Sequence, residues 1–138
     1  MPKLYAHWRD VPKAAWRWPN FSPQEIACKG FGELMLDEGA LDKLQALRRA
    51  LGRPVVINSA YRSEAHNRAV GGSPTSQHRL GKAFDIALRG PASARDIERE
   101  ELIREALEVG FTGIGRYDGF VHVDTGPERT WDYRTKKG

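Results

Sequence analysis

The sequence predicts an α+β domain: a small, mostly antiparallel sheet with helices packed on one face. Three observations predict it. Two stretches of helical periodicity, near 37–51 and 93–109, alternate with short β-branched or apolar runs. The last two such runs are joined by the turn pair Asp118-Gly119, which suits antiparallel neighbours. A length of 138 residues is enough for one hydrophobic core and too short for two.

Each element has its own signal. Residues 1–20 hold Trp8, Trp16 and Trp18 among Pro and Arg, and read as an irregular arm packed across the domain. Ser22-Pro23 with Glu25 reads as a capping box starting a short helix, which Gly30 and Gly32 limit. Asp37 caps a longer helix whose Leu41, Leu44, Leu47 and Leu51 share one face, and Gly52 and Pro54 end it. Val55-Val56-Ile57 reads as a buried strand. Ser63 to about Val70 suits one or two helical turns, 73–82 a loop, and Ala83 to Leu88 a strand. Ser93 is the expected cap of a third helix ending at Gly110, and strands follow at about 111–116 and 119–124. The whole of 1–138 reads as a single domain: the arm, a core over 21–131, and a basic tail over 132–138.

Composition excludes several classes. Lys plus Arg number 22 against 18 acids, a net charge of +4. That surplus is scattered and lacks the clustered basic and aromatic patch of a nucleic-acid site, so no nucleic-acid partner is expected. The one cysteine, Cys28, rules out an intrachain disulfide framework and reads as a small buried apolar residue. No apolar run approaches the ~18 residues of a membrane span. The N-terminus carries no apolar leader core, so synthesis in the cytoplasm is expected, with release by other means if the protein acts outside. A monomer is expected.

The chemistry concentrates in two strands. In 83–88, Phe84, Ile86 and Leu88 point to the core, so Asp85 projects from the other face. In 120–124, Val121 and Val123 point inward, while Phe120, His122 and Asp124 share the other face. His78 lies in the loop entering the first strand. Two imidazoles and a carboxylate are a familiar ligand set for catalytic zinc, with a fourth position left for water. By spacing alone, each could equally be a hydrogen-bonded strand residue, and Arg62 a surface arginine.

The motifs resemble those of a known family. Ser76-Gln77-His78-Arg79-Leu80-Gly81-Lys82-Ala83-Phe84-Asp85-Ile86 is similar to the first zinc signature of the M15 peptidases, which include D-Ala-D-Ala carboxypeptidases, murein endopeptidases and endolysins. Ser59-Ala60-Tyr61-Arg62-Ser63 and His66 to Gly72 resemble the segment before it. Gly113 to Tyr117 and Phe120-Val121-His122-Val123-Asp124-Thr125-Gly126 resemble the block with the last zinc histidine. Phe21 to Cys28 resembles the N-terminal segment of small phage-type members.

The resemblance implies the hedgehog/D-Ala-D-Ala-peptidase-like zinc fold, with one Zn2+ held by His78, Asp85 and His122. It implies peptidoglycan stem peptides as substrate, and an enzyme acting on the cell wall after phage-like release. Arg62 would fork onto a substrate oxygen. Ser76 would fix the loop beside the substrate rather than act as nucleophile, and His66 would either orient a ligand or cap its helix. The sequence departs from the family at the general base: Gly119 stands three residues before His122, where many members have an acid. Asp124 is then the preferred base and Asp118 the alternative. A missing base would instead suit a catalytically silent zinc module that binds wall peptides or a protein partner.

Overall fold

A computed structural model describes residues 2–135. Its larger sheet has five strands: β3 (Ile57–Ser59), β4 (Ala83–Ala87), β5 (Gly113–Arg116), β6 (Phe120–Asp124) and β7 (Arg129–Asp132). Their spatial order is β3-β4-β6-β5-β7. All neighbours are antiparallel except β5 and β7, which run parallel. A two-stranded sheet pairs β1 (Lys3–Tyr5) with β2 (Leu34–Leu36). Among the described residues, the four helices are α1 (Pro23–Ile26), α2 (Glu38–Leu51), α3 (Glu64–Ala69) and α4 (Arg95–Glu108).

The helix signals act as their chemistry dictates. Ser22 and Glu25 form the reciprocal capping box of α1. The Asp37 carboxylate accepts from the Ala40 N–H at the start of α2, and Gly52 ends that helix at φ +66°, in the left-handed region glycine tolerates. Leu41, Leu44 and Leu47 of α2, with Leu102, Ile103 and Ala106 of α4, pack on Phe84, Ile86, Ile114, Val121 and Val123. These sheet residues all lie on one face, so the alternation in β4 and β6 turns Asp85, His122 and Asp124 to the other.

Several elements differ from the sequence reading. Ser93 does not cap α4: Ala92–Ala94 form a 3-10 turn, and the helix starts after Ala94 without a side-chain cap. β3 begins at Ile57 rather than Val55 and runs on through Ser59, because it pairs with Ile86 and Asp85 of β4. The expected loop 73–82 contains a 3-10 turn, Gln77–Leu80. The arm is less irregular than expected, since β1 makes a strand pair with β2 and 3-10 turns cover Trp8–Asp10 and Lys13–Ala15. Trp18 is buried in the core, and its indole N–H donates to Asp42. The expected tail is partly strand: β7 extends to Asp132, and Thr135 bonds Asp118. The rest of that tail, 136–138, lies outside the described residues.

Cys28 is buried at the junction of α1 and α3. Its sulfur accepts from the Gly30 and Ser63 N–H groups, so it acts as a structural side chain.

Candidate metal centre

β4 and β6 pair so that Asp85 and His122 are direct cross-strand partners. Opposite residues on one face bring their side chains together. The turn Gln77–Leu80, capped by the Ser76 hydroxyl accepting from the His78 N–H, lowers His78 onto the same face. His78, Asp85 and His122 each offer one ligand atom, and these atoms lie within 4.8 Å of one another. All three residues are buried.

The outer nitrogens show which tautomers the chain imposes. His78 Nδ1 lies 2.6 Å from the Ala60 carbonyl oxygen, which can only accept. Nδ1 therefore carries a hydrogen, and in the neutral ring Nε2 presents a lone pair to Asp85 Oδ1 at 3.2 Å. His122 is set the same way: Nε2 lies 2.6 Å from Asp124 Oδ2 and donates to it, which leaves Nδ1 facing Asp85 Oδ1 at 3.0 Å. Two nitrogen lone pairs and a carboxylate then converge on one point, an arrangement that requires a cation between them. Histidines held by an outer acceptor are the usual form of a metal ligand. The donor set therefore fits a bound divalent ion.

Without a metal, a proton fills that role. Burial works against the charged form of His122, but the hydrogen bonds to Asp124 and Asp85 outweigh it and raise its pKa. Burial likewise opposes the Asp85 carboxylate, and the bonds from His122 and His78 outweigh it, holding that carboxyl well below the usual range.

Asp124 does not occupy the position expected of a general base. Its side chain is 0% exposed and sits behind His122. Oδ2 accepts from His122 at 2.6 Å and from Arg129 Nη2 at 2.8 Å, while Oδ1 accepts from the Gly126 N–H and Arg129 Nη1. Burial disfavours this charge, but the His122 and Arg129 bonds win and pull the carboxyl down to about 2. Both oxygens are committed, so Asp124 orients His122 rather than meeting a water in the cleft. Asp118 is also outside the cleft. Its carboxylate is exposed and bonds the backbone and hydroxyl of Thr135.

The metal cluster forms the floor of an open cleft of about 600 Å³. The size suits a peptide-like ligand. One wall is the loop 70–77, including Ser76. The other is aromatic, with Tyr117, Phe120, Trp131 and Tyr133. Arg62 also lines the cleft, but its fork is not free. Nε donates to Ser59 Oγ, Nη1 to Asn67 Oδ1 and Nη2 to Asp85 Oδ2 at 3.5 Å. In the free chain the guanidinium braces Asp85 through Oδ2, the oxygen that the two histidines do not contact. His66 does not orient a ligand. Its ring packs beside Gly30, and the outer nitrogens of both candidate ligand histidines have other partners.

Sequence reasoning passed over Arg129, Trp131 and Tyr133. Their alternation at 129, 131 and 133 was an available strand signal, with these side chains on one face.

The fold and this cluster define an α+β protein with a candidate metal site. The chain belongs to the peptidase M15 family, whose model matches residues 19–124. It is 35% identical over 105 residues to the peptidoglycan L,D-endopeptidase MepK of Escherichia coli (strain K12), covering 70% of this chain and 54% of that protein. It is 34% identical over 92 residues to the zinc D-Ala-D-Ala carboxypeptidase of Streptomyces albus G, covering 64% of this chain and 35% of the relative. A probable MepK of Haemophilus influenzae is 29% identical over 106 residues. The chain therefore spans about half the length of the MepK relatives it matches. Among the described residues, no helix is long and apolar enough to cross a membrane.

Proposed function

We propose that this chain is a zinc metallopeptidase that hydrolyses an amide bond in peptidoglycan stem or cross-bridge peptides. The observation that carries the reading is the convergence of His78, Asp85 and His122 on the floor of an open cleft. The substrate class is supported by the relatives, one named a peptidoglycan L,D-endopeptidase and another a zinc D-Ala-D-Ala carboxypeptidase.

His78, Asp85 and His122 would hold one zinc ion, which suits two imidazoles and a carboxylate. When bound, the ion supplies Lewis acidity, activating water and polarising a carbonyl at neutral pH. The chain's residues prepare the site. Ala60 and Asp124 fix the two imidazole tautomers. Arg62 holds the second oxygen of Asp85 and contributes positive charge to the cleft. Ser76 fixes the turn that carries His78 and borders the bound peptide. Action as a monomer and phage-type delivery belong to the same reading. The delivery is supported by the phage-type likeness of Phe21 to Cys28.

Mass spectrometry of purified muropeptides, incubated with the protein with and without a chelator, tests the proposal. The expected result is a new fragment pair that the chelator abolishes. Failure to cut any stem or cross-bridge peptide sinks it. One observation favours a second reading, the silent wall-binding module: among the described residues, Asp85 is the one carboxylate lining the cleft. That reading expects uncut muropeptides retained on the zinc-loaded protein.

A further inference from the structure

Tyr117 follows β5 and lines the cleft with Arg62, Asp85 and His122. Its phenol oxygen has one hydrogen-bond partner among the described residues, Trp131 Nε1 at 2.9 Å. An indole N–H can only donate. The phenol oxygen is therefore the acceptor, and its own hydrogen has no acceptor among the described residues.

The ring that carries this hydroxyl is held on two sides. It stacks on Phe120 with centroids 4.3 Å apart and planes 10° from parallel, and Tyr133 meets it edge-on at 5.7 Å. The phenol also keeps its proton. Burial is the main cause of its raised pKa, partly offset by the Trp131 bond, and the negative charge of Asp85 adds to it. Tyr117 lines the same cleft as Arg62, Asp85, His78 and His122.

The two arginines that line the cleft are already held by the chain. Each nitrogen of the Arg62 guanidinium already donates, to Ser59, Asn67 and Asp85. Both terminal nitrogens of Arg129 donate to Asp124. A peptide entering the cleft brings carbonyl oxygens, and the one at the cut bond gains negative charge as a nucleophile adds. A preset donor stabilises that charge because it needs no reorientation at the moment of reaction.

We propose that Tyr117 is a catalytic residue whose hydroxyl donates a hydrogen bond to the carbonyl oxygen of the amide being cut, and that Trp131 is the positioning residue that aims it. The inference rests on the peptidase reading above. It involves no proton transfer: the phenol keeps its hydrogen throughout.

The test is Tyr117→Phe, which keeps both ring contacts and removes the hydroxyl. Circular dichroism and zinc content should match wild type. On a defined muropeptide, kcat should fall about 10- to 1000-fold, with KM within about twofold. A phosphinate peptide, which mimics the tetrahedral transition state, should bind more weakly by a similar factor in calorimetry, while the cleaved peptide product binds as before. Trp131→Phe should give a smaller kcat loss. The double variant should be no slower than Tyr117→Phe alone, since Trp131 acts through that hydroxyl. Wild-type kcat in Tyr117→Phe, a loss confined to KM, or a parallel loss of zinc overturns the proposal. Additive losses in the double variant overturn the role of Trp131. A wild-type protein that cuts no muropeptide overturns the peptidase reading instead, a result distinct from an active wild type with an equally active Tyr117→Phe.

Discussion

His122 and Asp124 sit on the same face of β6, and the outer nitrogen of the imidazole donates to the carboxylate across 2.6 Å. Arg129 from β7 closes the network on the far side with two hydrogen bonds to the same carboxylate. A strand two positions away from the metal cluster is thereby tied to the orientation of one ligand. The Asp124 side chain is buried, and both its oxygens are bonded to the imidazole, the guanidinium and the Gly126 N–H.

This arrangement predicts that Asp124 variants lose metal before they lose anything else. Removing an outer partner of a ligating histidine typically costs about 10–100-fold in metal affinity. Asp124→Asn should therefore bind zinc at least about tenfold more weakly in competition with a chromophoric chelator. Its kcat should recover largely when zinc is in excess. Asp118→Ala, altering an exposed turn, should retain both. If Asp124→Asn keeps full zinc affinity but turns over slowly, the carboxylate is the base after all.

One equivalent of zinc is expected per chain, and His78→Ala or His122→Ala should each abolish tight binding. The pH dependence should differ in sign between the metal-free and loaded forms. In the metal-free chain, the His122 pKa is raised above its unfolded value of about 6.5. Its contribution to stability is complete below about pH 6.5 and is lost as pH rises through the raised value. The loaded form needs that nitrogen unprotonated, so zinc affinity falls as pH drops. As pH rises above about 6.5, the Tm of chelated protein should fall while the gain on adding zinc grows. Parallel pH trends for the two forms would remove His122 from the ligand set.

Asp85 and His122 were legible because β4 and β6 alternate cleanly. Phe84 and Ile86, like Val121 and Val123, mark the buried face, which assigns Asp85 and His122 to the other. The same alternation placed Asp124 correctly but could not tell which nitrogen of His122 it would meet. That depends on ring orientation, which spacing does not encode. The β1–β2 pair was not legible, since its strands are three residues long and about 30 residues apart. β7 was missed because Arg129–Asp132 is short and polar and pairs in parallel with a strand 16 residues earlier. The partners of the arginine fork were not legible for a related reason: Ser59, Asn67 and Asp85 come from three separate segments, and only the fold assembles them around Arg62.

The glycines of Gly113-Ile114-Gly115 should be as sensitive as the ligands. A Cβ at position 113 would collide with the Asp124 carboxylate and with Arg129, and one at position 115 with the Trp131 ring. Overpacking of this kind costs about 1–3 kcal/mol. Gly113→Ala should lower both urea stability and zinc affinity, whereas Gly119→Ala, with open space around it, should change neither by more than about 0.5 kcal/mol. Unchanged zinc affinity in Gly113→Ala would mean that the Asp124–Arg129 pair can shift without moving His122.

Arg62 offers the clearest separation of charge from geometry. Its three nitrogens reach Ser59, Asn67 and Asp85 in three directions, and its side chain is 17% exposed beside the cleft. Lysine carries the same charge on one nitrogen and cannot span all three partners. In Arg62→Lys, Asn67 keeps its bond to the Ser73 carbonyl, so the loop of the cleft wall stays anchored there. What is lost is the brace on Asp85 Oδ2 and the planar edge presented to the cleft. The expected outcome is a retained fold and one equivalent of zinc, with kcat/KM lowered at least tenfold, or about 1.4 kcal/mol of transition-state stabilisation. Arg62→Ala should be worse and should also weaken zinc binding, because Asp85 then loses its nearest positive side chain outside the cluster. Steady-state cleavage of a defined muropeptide, with zinc content measured on the same samples, reads both effects. Near-native kcat/KM in the lysine variant would show that charge alone suffices at this position and that the fork serves only packing.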